Sequence, residues 1–216
     1  MPEAALTWKP ACGRETQLKI WIGSAVNGLW RPSRPSSGTK ATYVSAPMVM
    51  SGAVRTYKVL VDGRRQIGGF HLPGDMFGFE SGEEHTFSAE AITDCKILVI
   101  KRSSVIALAA RDNDIARQLW ALTARELQRV QDHVMLLIKN ARERVVGFLL
   151  EMADRGAGGS AVELPMSRQD IADYLGLTIE TVSRTLTQLE RAAAIELPTS
   201  RRIVLRNRPA LSRLNA

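Results

Sequence analysis

The chain has 216 residues, a formal net charge of +7 at pH 7 and a pI near 9.8. This length leaves room for one large or two small domains, and the positive charge suits a polyanionic partner. No apolar run approaches the roughly 18 residues that cross a bilayer, and the start of the chain lacks the apolar core of a signal peptide. Because Cys12 and Cys95 do not form a disulfide framework, we expect a reducing cytoplasm and no membrane partner.

The first fifty residues are atypical of a folded domain. Trp30 to Lys40 is rich in Pro and Ser and has no clear period. Only Tyr43-Val44 and Met48 to Met50 indicate strands. We therefore predict a weakly structured N-terminal region over residues 1–50.

Residues 51–110 have the pattern of a small β-domain. The segment from Ala53 to Leu60 predicts a strand, and Asp62-Gly63 after it is a strong hairpin turn. Three further strands are predicted at Gln66 to Leu72, Thr86 to Ile92 and Cys95 to Ile100. Short strands separated by glycine turns are typical of a roll or barrel.

From Asp114 to about Asp154 the pattern becomes helical, because apolar residues recur every three or four positions. The stripe consists of Ile115, Leu119, Leu122, Val130, Val134 and Leu137. A buried core helix would carry the same stripe. However, a helix of this length between two small domains has little of its own domain to pack against. We predict it over residues 111–140.

Residues 167–189 predict two short helices joined by a tight turn. Ser167 is a good N-cap, and Asp170 stands three residues later, where a capping box places its acceptor. Gly176 ends the first helix, and Thr178 can cap the second. This arrangement is typical of a helix-turn-helix, and we predict that it lies in a domain over residues 141–216.

The second of these helices has two distinct faces. Its apolar side consists of Ile179, Val182, Leu186 and Leu189, and its polar side of Glu180, Arg184, Thr187 and Arg191. An arginine can donate two hydrogen bonds to guanine, and a glutamate can accept one from the cytosine amino group. Glu180 and Arg184, four residues apart, are also an ordinary surface ion pair. This pair alone therefore does not distinguish base reading from a simple surface contact.

A basic hairpin is predicted after the second helix. Residues 195–206 read as two short strands around a turn from Pro198 to Ser200. Such a hairpin is a wing, and Arg201, Arg202 and Arg206 would lie along a phosphate backbone without reading sequence. Each of these arginines is otherwise a solvated surface charge.

Residues 164–184 resemble the DNA-binding signature of the Crp/Fnr family and are especially similar to its FixK and FnrN branch. The resemblance runs from about Ser51 to the end, and Ser51 to Tyr57 and Phe70 to Glu80 are also close to FixK-type sequences. It implies an α+β fold. An N-terminal cyclic-nucleotide-binding-like β-roll, of the sensory type, would precede a long dimerisation helix and a C-terminal winged helix-turn-helix. Because the resemblance starts abruptly, we hypothesise that a reading-frame change altered residues 1–50 and left the β-roll short of one or two strands.

The resemblance also implies the roles of individual residues. Glu180, Ser183 and Arg184 would read a TTG-containing half-site. The helix-turn-helix and its contacts to the DNA backbone would depend on Ser167, Arg168, Thr178, Thr181, Thr187, Arg201 and Arg202. The apolar stripe would form a homodimer. The expected protein is a transcription regulator that binds inverted repeats in double-stranded DNA, contacts RNA polymerase, and activates low-oxygen respiration or nitrogen-fixation genes.

No cofactor or metal is expected. Cyclic-nucleotide binders of the family place an arginine before a Ser/Thr-Ala pair, whereas here Phe87 precedes Ser88-Ala89. An Fnr-type iron–sulfur cluster needs four thiolates, and the chain has two cysteines. His71, His85 and His133 lack metal-ligand spacing.

Two alternatives remain, and only the enzyme comes from another class of protein. One is an effector-gated or Fnr-type oxygen-sensing regulator that uses the β-roll. The other, an enzyme, is disfavoured because the sequence contains no nucleophile elbow, P-loop or paired carboxylate site.

Overall fold

The computed structural model describes residues 7–8, 16–17, 21–25, 29–30, 45–79, 86–156 and 160–215. Within these residues the chain divides into two compact units. The first unit comprises Met1–Lys58 and Gly68–Glu126, and the second comprises Val59–Ile67 and Leu127–Ala216.

The first nine strands lie in the N-terminal half of the chain. They are β1 (Thr7–Trp8), β2 (Thr16–Gln17), β3 (Trp21–Ala25), β4 (Leu29–Trp30), β5 (Ser45–Ser51), β6 (Val54–Val59), β7 (Arg65–His71), β8 (Ser88–Ala91) and β9 (Cys95–Lys101). They form a two-stranded pair β1-β2, a three-stranded sheet in the order β3-β9-β5 and a four-stranded sheet in the order β4-β8-β6-β7.

The later part of the chain is mainly helical. Its helices are α1 (Arg102–Ala109), α2 (Asn113–Leu137), α3 (Ala141–Arg155), α4 (Arg168–Leu175), α5 (Ile179–Arg191) and α6 (Arg208–Leu214). Strands β10 (Ala161–Glu163), β11 (Ile195–Glu196) and β12 (Arg202–Leu205) form an antiparallel sheet in the order β10-β12-β11. No helix of the described segments is long and apolar enough to span a membrane.

The two sheets of the first unit surround an apolar core. Its buried members are Val49, Val54, Phe77, Ala91, Cys95 and Ile97. Alternate residues of β9 are buried in this core, since successive side chains of a strand point to opposite faces. Gly52 is required at the turn before β6, because it adopts φ +83° and a Cβ there would lie 2.2 Å from the carbonyl oxygen of Asp94.

The predicted α+β fold, with an N-terminal β-roll and a C-terminal winged helix-turn-helix, is confirmed. The strands predicted between Ala53 and Ile100 occur as β6 to β9, with ends shifted by one or two residues. Helix α1 was not predicted. The long helical pattern is interrupted at residues 138–140, where the Asn140 side chain accepts from the Glu143 N–H and forms a capping box.

The prediction for residues 1–50 is tested only in part by the described residues. Strand β3 pairs with β9 and β4 pairs with β8, so segments before residue 31 contribute to both sheets. Met48 to Met50 lies in β5, whereas Tyr43-Val44 and Cys12 lie outside the described residues. The proposed alteration of this region stays a prediction.

Candidate nucleic-acid interface

Helix α4 begins with a complete capping box. The Ser167 hydroxyl accepts from the Asp170 N–H at 3.1 Å, and Asp170 Oδ2 accepts from the Ser167 N–H at 3.0 Å. These two bonds satisfy donors that would otherwise be unpaired at the helix start. Ser167 therefore has the structural role that the sequence predicted.

The turn between α4 and α5 depends on one glycine. Gly176 adopts the left-handed conformation, φ 62° and ψ 40°, and its N–H donates to the Ala172 carbonyl. Thr178 then caps α5 by accepting from the Thr181 N–H at 3.3 Å, and the hydroxyls of these two threonines lie 3.1 Å apart. Two short helices are thus joined by a turn of three residues.

Helix α5 has the two faces that its sequence predicts, with one exception. Val182, Leu186 and Leu189 are buried, but Ile179 at the first turn is exposed. On the opposite side the polar residues are exposed, and they include Glu180, Ser183, Arg184, Thr187 and Arg191. The Thr187 hydroxyl donates to the Ser183 carbonyl at 3.1 Å, so Thr187 lies against its own helix.

Glu180 is a charged acceptor at the first turn of α5. Its own backbone N–H and the Thr178 hydroxyl lower the pKa of Glu180, and Arg184 contributes in the same direction. The lowered pKa keeps this carboxylate ionised at neutral pH, and because the side chain is exposed it is available to a partner. An ionised acceptor beside an exposed arginine suits a cytosine and a guanine in a major groove.

Two side chains missed by the sequence analysis bind carbonyl groups at the end of α4. His133 Nε2 lies 2.9 Å from the Tyr174 carbonyl oxygen, and Arg144 Nη1 donates to the Leu175 carbonyl at 2.9 Å. The last carbonyls of a helix lack partners within the helix, so these contacts hold α4 at its C-terminal end. They join residues 31 and 41 positions apart, and no local sequence pattern indicates them.

The predicted wing is present as β11, the turn at Pro198 to Ser200, and β12. Its exposed arginines differ in their partners. Arg202 lies 3.5 Å from Glu163, and Arg206 pairs with Glu196. Arg201 is exposed, and no acidic partner for its side chain is found in the described part of the chain.

Arg168, the first residue of α4, is only partly exposed. Among the described residues its buried Nη1 atom has no hydrogen-bond partner. Burial lowers the pKa of Arg168, although an arginine stays charged at neutral pH. A partly buried cation at a helix start favours an anionic partner.

The predicted stripe on α2 consists of two groups with different exposure. Val130 and Val134 are each 55% exposed, whereas Ile115, Leu119, Leu122 and Leu137 are partly buried. Further large apolar side chains of this region are exposed, namely Trp120, Leu127, Met135 and Ile138. Leu127, Val130, Val134 and Ile138 recur at steps of three and four residues and define an apolar stripe, here called the exposed stripe.

The described residues contain no group of three or more His, Cys, Asp or Glu side chains placed to hold a metal ion. Cys95 is buried, and its thiol donates to the Ala53 and Thr93 carbonyls, both at 3.2 Å. His71 is also buried and stacks on Phe77, with 4.8 Å between ring centroids. Cys12 and His85 lie outside the described residues.

Two family models match the chain. The Crp-like helix-turn-helix domain matches residues 143–214, and the cyclic nucleotide-binding domain matches residues 38–112. The chain is similar to the nitrogen fixation regulation protein FixK of Azorhizobium caulinodans, with 55% identity over 78% of this chain and 71% of that protein. FixK of Rhizobium meliloti is 46% identical over 77% of this chain and 76% of that protein.

A solved structure has the same fold over most of its length. FixK2 from Bradyrhizobium japonicum superposes with a TM-score of 0.80 and 48% identity, covering 91% of this chain and 98% of that chain. The matched segments include both the β-roll and the helix-turn-helix. The chain belongs to the Crp/Fnr family of DNA-binding transcription regulators, within which it is FixK-like.

Proposed function

We propose that the protein binds inverted repeats with TTG-containing half-sites as a homodimer, and that Glu180, Ser183 and Arg184 read the bases. The observation that carries this proposal is the α5 surface. An ionised acceptor and an unburied arginine stand one turn apart on the exposed side of a helix whose other side is buried. The first turns of a recognition helix are the part that reaches base edges.

The contacts that position the protein on the duplex come from around this helix. Arg168, Arg201 and Arg202 would neutralise phosphates, because each is a cation at the start of α4 or on the wing. Thr178, Thr181 and Thr187 would add hydroxyl contacts or support the turn, and Ser167 caps α4. Phosphate contacts of this kind fix register and supply salt-dependent affinity without reading sequence.

Dimerisation would bury the exposed stripe, which lies on α2 and the residue that follows it. Large apolar side chains at regular helical steps rarely stay in water, and a facing copy would cover them. Two recognition helices would then meet successive major grooves about 34 Å apart, on an inverted repeat that shares the two-fold symmetry of the protein.

The relatives support a proposal for the biological role. Two of them are named nitrogen fixation regulation proteins, so we propose that this protein activates nitrogen-fixation or low-oxygen respiration genes in the cytoplasm. RNA polymerase would be its protein partner at those promoters.

Selection from a random duplex pool, read by sequencing, tests the function. The full-length protein should enrich an inverted repeat containing TTG half-sites. Light scattering should show a dimer at concentrations that saturate the enriched duplex. A monomer at saturation, or enrichment of sequences without two-fold symmetry, would contradict the proposal.

A further inference from the structure

A hairpin distant in sequence contacts helix α4. The segment Val59–Ile67, at the turn between β6 and β7, belongs to the second unit. Arg65 donates through Nε to Asp173 Oδ2 and through Nη2 to Asp170 Oδ1, both at 2.8 Å. The next residue, Gln66, donates to the Tyr174 carbonyl at 3.3 Å. Two consecutive hairpin residues therefore bind both the beginning and the end of α4.

The hairpin cation compensates one buried and one largely buried negative charge. The side chain of Asp170 is 2% exposed and that of Asp173 is 13% exposed, and the two stand three residues apart on α4. Asp170 Oδ2 also accepts from the Ser167 N–H and hydroxyl, and Asp173 Oδ1 accepts from the Gln169 amide, but these donors are neutral. Without Arg65 both carboxylates would lose this cation, and a buried charge that loses its charged partner is costly.

The shape of the guanidinium suits this position. Its planar fork can bind two carboxylates at once, whereas a lysine ammonium is a single point charge. Burial alone would lower the pKa of Arg65, but the hydrogen bond and charge of Asp173 and the charge of Asp170 outweigh burial and raise it. The side chain is 26% exposed, and its donors are directed to α4.

We propose that Arg65 is a positioning residue for DNA binding: it holds α4 through Asp170 and Asp173, and through α4 it fixes the recognition helix. The inference rests on the proposed function of α5. Because α4 and α5 are joined by three residues with a fixed left-handed glycine, a displacement of α4 displaces Arg184. The side chains that bind a partner must be held within about 0.5 Å of their productive positions.

The adjacent arginine provides a matched control. Arg64 is on the same hairpin and carries the same charge, but its side chain is 78% exposed and pairs with Asp62 within the turn. Arg65→Met and Arg64→Met thus remove equal charge from neighbouring positions, and only the first variant loses the contact to α4. Asp173→Asn and the double variant with Arg65→Met complete a thermodynamic cycle.

The binding experiment uses the full-length protein, the duplex enriched by selection and a random duplex, with fluorescence anisotropy over a salt series. Arg65→Met should raise the Kd for the enriched duplex about tenfold or more and leave the salt slope unchanged, since no phosphate contact is lost. Arg64→Met should stay within about twofold of the wild type. The double variant should bind no more weakly than Arg65→Met alone, because the carboxylate and the cation act as a unit.

Hydrogen exchange of the free protein gives a readout that does not depend on DNA. Arg65→Met should speed amide exchange in α4 and leave α3 unaffected, and Arg64→Met should change neither. If Arg65→Met fails to give a cooperative melt, Arg65→Lys replaces it. Because lysine keeps the charge but loses the fork, its Kd should lie between those of the wild type and Asp173→Asn/Arg65→Met.

The outcomes separate the two proposals. Wild-type affinity in Arg65→Met overturns the positioning role. So does a salt slope reduced by about 0.9 with equal weakening on both duplexes, since that result makes Arg65 a phosphate contact. If the wild type selects no duplex but Arg65→Met still loosens α4, the DNA-reading assignment fails while the hold of Arg65 on α4 remains.

Discussion

The His133 ring stacks on the Tyr174 ring, with 3.9 Å between centroids and 11° between planes, and the same histidine contacts the Tyr174 carbonyl. Tyr174 is buried in α4 and its ring also packs against Phe148, so His133 joins the end of α2 to the helix-turn-helix core. A neutral imidazole with its hydrogen on Nε2 can donate to that carbonyl, so the contact does not require protonation.

This contact predicts an acid-sensitive stability. Burial lowers the pKa of His133, while the Tyr174 carbonyl and Glu151 oppose the change without cancelling it. Below about pH 6.5 the unfolded chain binds a proton that the folded chain still excludes, so the free energy of unfolding falls as the pH falls toward the folded pKa. His133→Gln keeps a donor and removes the titration. Urea unfolding from pH 5 to 8 should therefore show a shallower pH dependence for His133→Gln, and superimposable curves would contradict the assignment.

Gly176→Ala tests the turn between α4 and α5. A Cβ at this position would lie 3.5 Å from Arg144 Nη1 and 3.9 Å from Leu137 Cδ2, so there is space for it. The cost is the left-handed backbone alone, about 1–2 kcal/mol of unfolding free energy. Gly176→Asn should cost less, because asparagine adopts this conformation more readily. Equal losses in the two variants, measured by urea unfolding, would show that a clash and not the backbone sets the cost.

Local features of the helix-turn-helix were predictable from the sequence, and distant ones were not. The roles of Ser167, Gly176 and Thr178 in the helix ends follow from residues at most three positions away. The contact of Arg65 with Asp170 joins residues 105 positions apart, and only the folded chain brings them together. The helix break at Asn140 also has a local signal, since Glu143 completes a capping box, and it falls where the dimerisation helix was predicted to end, at residue 140.

Dimerisation is tested by a charge in the exposed stripe. Val134→Glu places a carboxylate among side chains that a second copy would cover, and burying it unpaired is costly. We expect a shift to monomer and at least about a tenfold weaker affinity for the inverted repeat. Gln118→Glu introduces the same charge at an exposed position on the opposite side of α2. It should change neither the oligomeric state nor the affinity for the inverted repeat. Sedimentation equilibrium reports the oligomeric state, and fluorescence anisotropy reports the affinity. A Val134→Glu variant that stayed dimeric would contradict the prediction.

Base reading and phosphate binding are distinguished by two arginine variants. Arg184→Ala should cost about 1–3 kcal/mol on the enriched duplex and relax the preference at its guanine. Arg202→Ala should weaken binding to all duplexes similarly and reduce the salt slope, because a phosphate contact is lost. The variant should still fold normally, since the exposed pair of Arg202 with Glu163 contributes little to stability. If Arg184→Ala weakened binding to the enriched and random duplexes equally, Arg184 would be a phosphate contact. The assignment of Glu180 as a base reader would then lack the arginine on which it depends.

The last prediction concerns control by ligands: specific DNA binding should need neither cAMP nor the exclusion of air. In the β-roll, Phe87 stands before Ser88-Ala89 where cyclic-nucleotide binders carry an arginine, and its ring packs so closely on Gly68 that a Cβ there would lie 2.8 Å from it. Phe87 therefore cannot supply the positive charge that an arginine at this position gives to a cyclic phosphate. Cys95 is buried with its thiol bonded to two carbonyls, and the sequence has two cysteines against the four thiolates that a cluster requires.

Aerobically purified protein, first shown to melt cooperatively, should be colourless and bind the enriched duplex equally with and without cAMP. A ligand that bound the folded state would raise the thermal midpoint in a dose-dependent way. A brown anaerobic preparation that binds only without oxygen would replace this assignment with an Fnr-type sensor.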